Sequence, residues 1–252
     1  MCASYTAVGA LASFGVHVHG GQSITELHAW PSGGFGELVH EQPTQQAAAS
    51  SRAAANAATR APSACTLQLT AVEAFYLAFG AQQPRLTIVR PRGDGETALS
   101  DQECWTAFCA EDSMFPQLLA AYRALRTAGW HIRDGIKFGC DFTLYDPKGG
   151  PSAHATHSVL VTTPLTPERS WLWLQGYTRL CHQVSKQFLL CCVELPTSAD
   201  LALRDGPPAP CAAAIDSAAL GSPHCLLALE VSTVQIGSWS AGKEHAGTDS
   251  KV

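Results

Sequence analysis

Between residues 113 and 195 the apolar residues change their spacing, and that change restricts the chain to folds that mix helix with sheet. In SMFPQLLAAYRALRTAG (Ser113–Gly129), Phe115, Leu118, Leu119, Tyr122 and Leu125 recur at intervals of three and four, the spacing of one helix face, and Gly129 supplies a stop. From Trp130 onward the pattern breaks into short runs. WHIRDG, FGCDFTLYD, HSVLVTT and FLLCCVEL read as strands, SWLWLQGYTRLCHQV reads as a helix between the third and fourth, and CLLALEVSTVQIGSW reads as a last strand. Upstream, LTAVEAFYLAFG (Leu69–Gly80) pairs Thr70 with Glu73 three residues on, a capping-box pattern, and SDQECWTAFCA (Ser100–Ala110) repeats it with Ser100 and Glu103. The expected class is α/β (α+β), with an N-terminal helical segment followed by a mixed sheet.

The flanks read differently. Residues 1–64 are rich in Gly, Ala, Ser and Gln, with QPTQQAAASSRAAANAATRAPSA (Gln42–Ala64) as low complexity, and the stretch is expected to be disordered. A helical segment is expected at 65–112 and the main domain at 113–240. That domain carries an Ala/Pro-rich loop at 198–223, and a polar tail follows at 241–252. The formal net charge of −5 argues against a histone-like polyanion binder, so a nucleic acid would have to meet a local patch or partner subunits. No apolar run reaches the roughly 18 residues of a membrane helix, and the first residues lack the basic start of a signal peptide; the expectation is a soluble, intracellular chain. Ten cysteines are scattered without a C-x-x-C pair, which reads as buried thiols in a reducing compartment rather than zinc ligands or disulfides.

Polar residues at strand ends point to a site. In CDFTLYD, alternation puts Asp141, Thr143 and Tyr145 on one face, with Tyr145 at the end of the strand. After the turn DPKGGPS the next strand opens near His154 and His157, so a hairpin of this length brings Tyr145 and His154 to the same end of the sheet. Lys186 in VSKQFLLCC sets a cation at the head of an otherwise apolar run. Taken singly, each has an ordinary reading: turn residues, or the solvated end of a helix.

Together these segments resemble the catalytic core of the tRNA-splicing (tRNA-intron) endonucleases. The resemblance is carried by YRALRTAGWHIRDGIKFGCDFTLYDPKGGPSAHATHSVLV and SWLWLQGYTRLCHQVSKQFLLC, with LQLTAVEAFYLAFGA similar to the family's upstream helical segment. It implies a restriction-endonuclease-like mixed-sheet domain and a metal-free triad at Tyr145, His154 and Lys186, with no cofactor. RNA carries its own nucleophile in the 2′-hydroxyl, so cleavage needs a base, an acid for the departing 5′-oxygen and a cation for the crowded phosphorane. By resemblance these are Tyr145, His154 and Lys186 in turn, and the products are a 2′,3′-cyclic phosphate and a 5′-hydroxyl. A phenol is a weak base at neutral pH, so a neighbouring cation is needed, and Lys186 is the candidate. His157 falls where the family often has an aromatic residue, which suits a packing or stacking substitute.

The resemblance also implies an RNA clasp, in which an arginine and a tryptophan hold a flipped-out base; Arg179 and Trp239 match by spacing. A tryptophan capping a sheet edge is the plain alternative for Trp239. The motifs HATHSVLV and VSKQFLLC are closer to the subunit that cuts the 5′ splice site than to its 3′ counterpart. The alternatives are the 3′-site subunit and a non-catalytic subunit of the same complex. A metal nuclease would need a D…E-x-K pattern that Asp141 and Glu194 do not form. Implied partners are precursor tRNA and the other subunits of a heterotetramer, a second catalytic chain and two structural ones, with a nuclear location and no membrane.

Overall fold

Short strands and helices are interspersed along the chain in a computed structural model that describes residues 15–18, 35, 37–40, 65–80, 86–92, 95–149, 153–163, 169–194 and 220–237. Strands β1 (Gly15–Val18), β2 (Glu37–His40) and β3 (Cys65–Gln68) precede helix α1 (Ala71–Phe75), which runs into a π-helical turn at Tyr76–Gly80. Then come β4 (Leu86–Arg92), β5 (Gly95–Ala98), α2 (Asp101–Glu111) and α3 (Phe115–Thr127). The second half comprises β6 (His131–Asp134), β7 (Phe142–Tyr145), β8 (His157–Thr162), α4 (Trp171–Gln183), β9 (Gln187–Glu194) and β10 (Glu230–Ile236).

Both capping boxes form. The Thr70 hydroxyl accepts from the Glu73 amide at 3.2 Å while the Glu73 carboxylate accepts from the Thr70 amide at 2.9 Å. Ser100 and Glu103 repeat the exchange at 3.3 and 2.9 Å. Each box satisfies amides that a helix start leaves without partners.

Among the described residues three sheets form, ordered β1-β4-β5, β2-β3 and β10-β9-β8-β7-β6. In the five-stranded sheet every pairing is antiparallel except β8 with β9, which run parallel because α4 carries the chain back across one face. Successive residues of β8 part to opposite faces: Val159 and Val161 join the core built on α3, while Leu160 joins Tyr177 and Cys181 of α4 and Phe188 of β9. Helix α3 is the shared wall. Its Phe115 meets Phe75, Trp105 and Phe108 edge-on at 5.7, 5.5 and 5.2 Å, and its Leu119 and Tyr122 belong to the same cluster as Ile132, Leu144, Val159 and Cys191 of the sheet. The α+β class read from the spacing of apolar residues is the observed one.

Three expectations need correction. Within residues 1–64, expected to be disordered, β1 pairs with β4 and β2 with β3, and Phe35 is buried with the Arg126 guanidinium 4.0 Å from its ring; the rest of that stretch, the low-complexity tract 42–64 included, lies outside the described residues. The segment 65–112 is helix and strand mixed, because LTIVRPR and GETA pair with each other as β4 and β5. The last strand starts at Glu230, not Cys225: Ser222 caps a 3-10 turn at Pro223–Leu227, and Pro223 at its first position suits a turn rather than a ladder. The expected loop at 198–219 and the tail at 241–252 lie outside the described residues. Among the described residues, no helix is long and apolar enough to cross a membrane.

Candidate active site

Strand register builds the site. Leu144 pairs with His157 across β7 and β8, and His157 pairs with Gln187 across β8 and β9, so these three residues form one row. Tyr145 lies one residue past the row on β7, Lys186 one residue before it on β9, and His154 in the connection entering β8. A hairpin followed by a parallel crossover therefore brings the end of β7 and the starts of β8 and β9 to one end of the sheet. Backbone bonds lock the row: the Thr156 amide donates to the Leu144 carbonyl at 2.8 Å, and the Gln187 amide to the Thr156 carbonyl at 2.8 Å. Neighbouring strands stand about 4.8 Å apart, so this end of the sheet is narrow enough for one substrate group to meet side chains from all three strands.

The surroundings of the three side chains differ. Tyr145 is half-buried, with the Arg133 guanidinium 5.9 Å from its ring centre and His131 opposite it on β6. His154 is exposed, and the buried Ala155 beside it anchors the connection. Lys186 is half-buried; its ammonium lies 4.2 Å from the Phe138 ring centre and donates to the Val184 carbonyl at 3.4 Å. The turn from α4 into β9 is sharp: Ser185 takes the left-handed φ of 54°, and the Lys186 amide donates back to Cys181 at 2.9 Å.

Phe138 reaches Lys186 from the connection between β6 and β7. Gly139 closes its 3-10 turn at φ 67°, and a side chain at Gly135 would collide with Cys140. The sequence alone assigns Phe138 no contact; its signal is an aromatic residue between Gly135 and Gly139.

Two neighbouring titratable groups have structural duties. Asp141 extends the ladder, its carboxylate accepting from the Val161 amide at 2.7 Å. Burial pushes its carboxyl up, against the pull of that hydrogen bond and of Arg169. His157 packs edge-on against Trp130 at 5.0 Å, with Nδ1 2.8 Å from the Thr156 hydroxyl, and burial holds its imidazole below the usual histidine range. This is the packing role expected at that position.

Arg179 lies on the solvent side of α4. Trp239 lies outside the described residues. The described cysteines are free thiols, and burial pushes Cys104, Cys191 and Cys225 to about 12, so they behave as small apolar residues. Among the described residues no group of three His, Cys, Asp or Glu side chains is placed to hold a metal ion.

Residues 115–200 match the family model of the tRNA intron endonuclease, catalytic C-terminal domain. Curated relatives of the chain include Sen2-type subunits. The chain is similar to tRNA-splicing endonuclease subunit Sen2 of Mus musculus, 27% identical over 197 residues that cover 73% of this chain and 36% of that one. It is also similar to subunit SEN2 of Eremothecium gossypii, 39% identical over 84 residues, 33% of this chain and 23% of the relative. Subunit Sen2-2 of Arabidopsis thaliana is 28% identical over 125 residues, covering 49% and 47%. The chain thus spans about a third of the length of the mouse relative it matches.

Proposed function

We propose that this chain is the Sen2-type catalytic subunit of a tRNA-splicing endonuclease, cutting precursor tRNA at an intron boundary, the 5′ splice site, without a metal ion. The observation that carries the reading is the common strand end shared by Tyr145, His154 and Lys186.

In this mechanism the tyrosinate of Tyr145 takes the proton of the 2′-hydroxyl, whose oxygen attacks the adjacent phosphorus. The bond from phosphorus to the 5′-oxygen breaks, and the imidazolium of His154 gives its proton to the departing oxygen. The Lys186 ammonium balances negative charge that builds on the non-bridging oxygens, a role for which a half-buried cation is well suited because a lower local dielectric strengthens its field. Products are a 2′,3′-cyclic phosphate and a 5′-hydroxyl. Arg179 and Trp239 form the base clasp, and the other subunits supply most of the phosphate contacts, as the net charge of −5 on this chain requires.

The test is cleavage of an intron-bearing precursor tRNA by the chain co-assembled with its partner subunits, in excess chelator. His154→Ala is expected to slow one cut on the order of 100-fold or more, with assembly and RNA binding unchanged, because only proton donation is lost. Cutting at both sites at the unsubstituted rate would remove His154 from the mechanism, and strict magnesium dependence of the chemical step would remove the metal-free reading.

A further inference from the structure

We propose that the exposed flank of α4 is a track for unpaired RNA that extends the Arg179 clasp, with Trp171 as its base-stacking platform. The track deepens the functional reading above and rests on it for the identity of the RNA.

Helix α4 buries Tyr177, Thr178 and Cys181 against the sheet, while Trp171, Gln175, Arg179 and His182 along its flank stay exposed. These four recur at intervals of four, four and three, and so form one stripe along the helix; all are exposed. The stripe runs about 17 Å, at 1.5 Å per residue. Trp171 is 70% exposed, an unusual state for the largest apolar side chain.

Its base is rigid. The Arg169 guanidinium lies 4.1 Å from the Trp173 ring centre, and Trp173 stacks on the buried Tyr177 at 5.4 Å with an interplanar angle of 8°. The first turn of the helix is thereby fixed from below.

Charge chooses the occupant. Between Arg169 and Val193 the sequence contains Arg169, Arg179 and Lys186 and no Asp or Glu, in a chain whose net charge is −5. An aromatic face for stacking, an amide for base edges and the exposed Arg179 cation are what an unpaired strand needs. A protein partner would favour the apolar flank of the same helix, where Leu172, Leu180 and Val184 are 78%, 45% and 38% exposed, and it stands as the competing outcome.

The experiment uses the co-assembled complex and two probes: intact precursor tRNA for cleavage, and the same RNA with 2′-deoxynucleotides at the cut positions for binding alone. Trp171→Ala is expected to weaken binding of the deoxy-substituted RNA on the order of 10-fold, the effect of losing one stacked base. KM for cleavage should rise in proportion while kcat holds, and Trp171→Phe should restore most of the affinity. Unchanged affinity in Trp171→Ala overturns the track. So does loss of subunit assembly on gel filtration, which would assign the stripe to a protein partner. Should the complex bind the deoxy-substituted RNA through Trp171 yet leave the intact RNA uncut, the endonuclease reading fails and the track stands.

Discussion

The Lys186 ammonium rests over the Phe138 ring, a contact that holds a cation in place without neutralising it. A carboxylate in that position would bind the lysine more tightly and cancel the field that the proposed mechanism asks of it. His157, one row inside the same strand end, works by the opposite principle: burial favours its uncharged form, so its ring packs on Trp130 as an aromatic group. The consequence for pH has a definite sign. Above the ordinary histidine value of about 6.5 the folded and unfolded states both carry a neutral ring. As pH falls below that value, the unfolded chain takes up a proton that the folded chain still refuses, and stability is lost until the depressed folded value is reached. His157→Gln is therefore expected to flatten the decline in urea midpoint between pH 7 and pH 5. A decline as steep as in the unsubstituted chain would place its cause in other groups.

Elements inherit their limits from local chemistry. Helix α1 is short, and both of its opening amides at the cap depend on the exchange between Thr70 and Glu73. Glu73 is 4% exposed, so its carboxylate needs the hydrogen bonds that Thr70 supplies through both amide and hydroxyl. Thr70→Ala should lower stability by about 1–2 kcal/mol, read as a lower urea midpoint at constant m-value. Ser100→Ala removes the corresponding hydroxyl from an exposed box and should cost less. Equal losses would show that burial adds nothing to the first cap. The parallel pair β8–β9 depends in the same way on α4 and on the left-handed Ser185 that ends it, since a parallel pair needs a crossover to return the chain to the strand end where Lys186 lies.

On the scale of the whole molecule, α3 joins the N-terminal helices to one face of the five-stranded sheet, and α4 covers the other. The face of α4 that carries Arg179 is consequently left to solvent. In the proposed complex the Arg179–Trp239 clasp of one catalytic subunit serves the cut made by the other. His154→Ala and Arg179→Ala are then expected to impair different splice sites in the co-assembled enzyme, the first through the chemical step and the second through RNA positioning. Mapping the 5′ ends of the fragments decides this, and a block of the same cut by both substitutions would end the division of labour. Accurate cleavage by this chain alone would do the same.

Local pattern was enough for much of the molecule. The three-and-four spacing from Phe115 to Leu125, the two capping boxes and the alternation of FTLY are properties of neighbouring residues, and each became the expected helix start or strand. Tyr145, His154 and Lys186 stood out for the same reason, as polar tips on apolar runs. Contacts between distant segments were not legible. Short β1 and β2 gain their partners only when β4 and β3 arrive beside them, and the 3-10 turn at Pro223–Leu227 interrupts a run that reads as continuous strand. Nothing in IKFG announces that Phe138 will lie under Lys186, nor in SWLWLQ that Trp171 will face solvent while Trp173 stacks on Tyr177. Propensity and period act along the chain over a few residues, whereas burial and strand partners depend on which surfaces meet across it, and that was decided by the tertiary packing of α3 and α4 on the sheet.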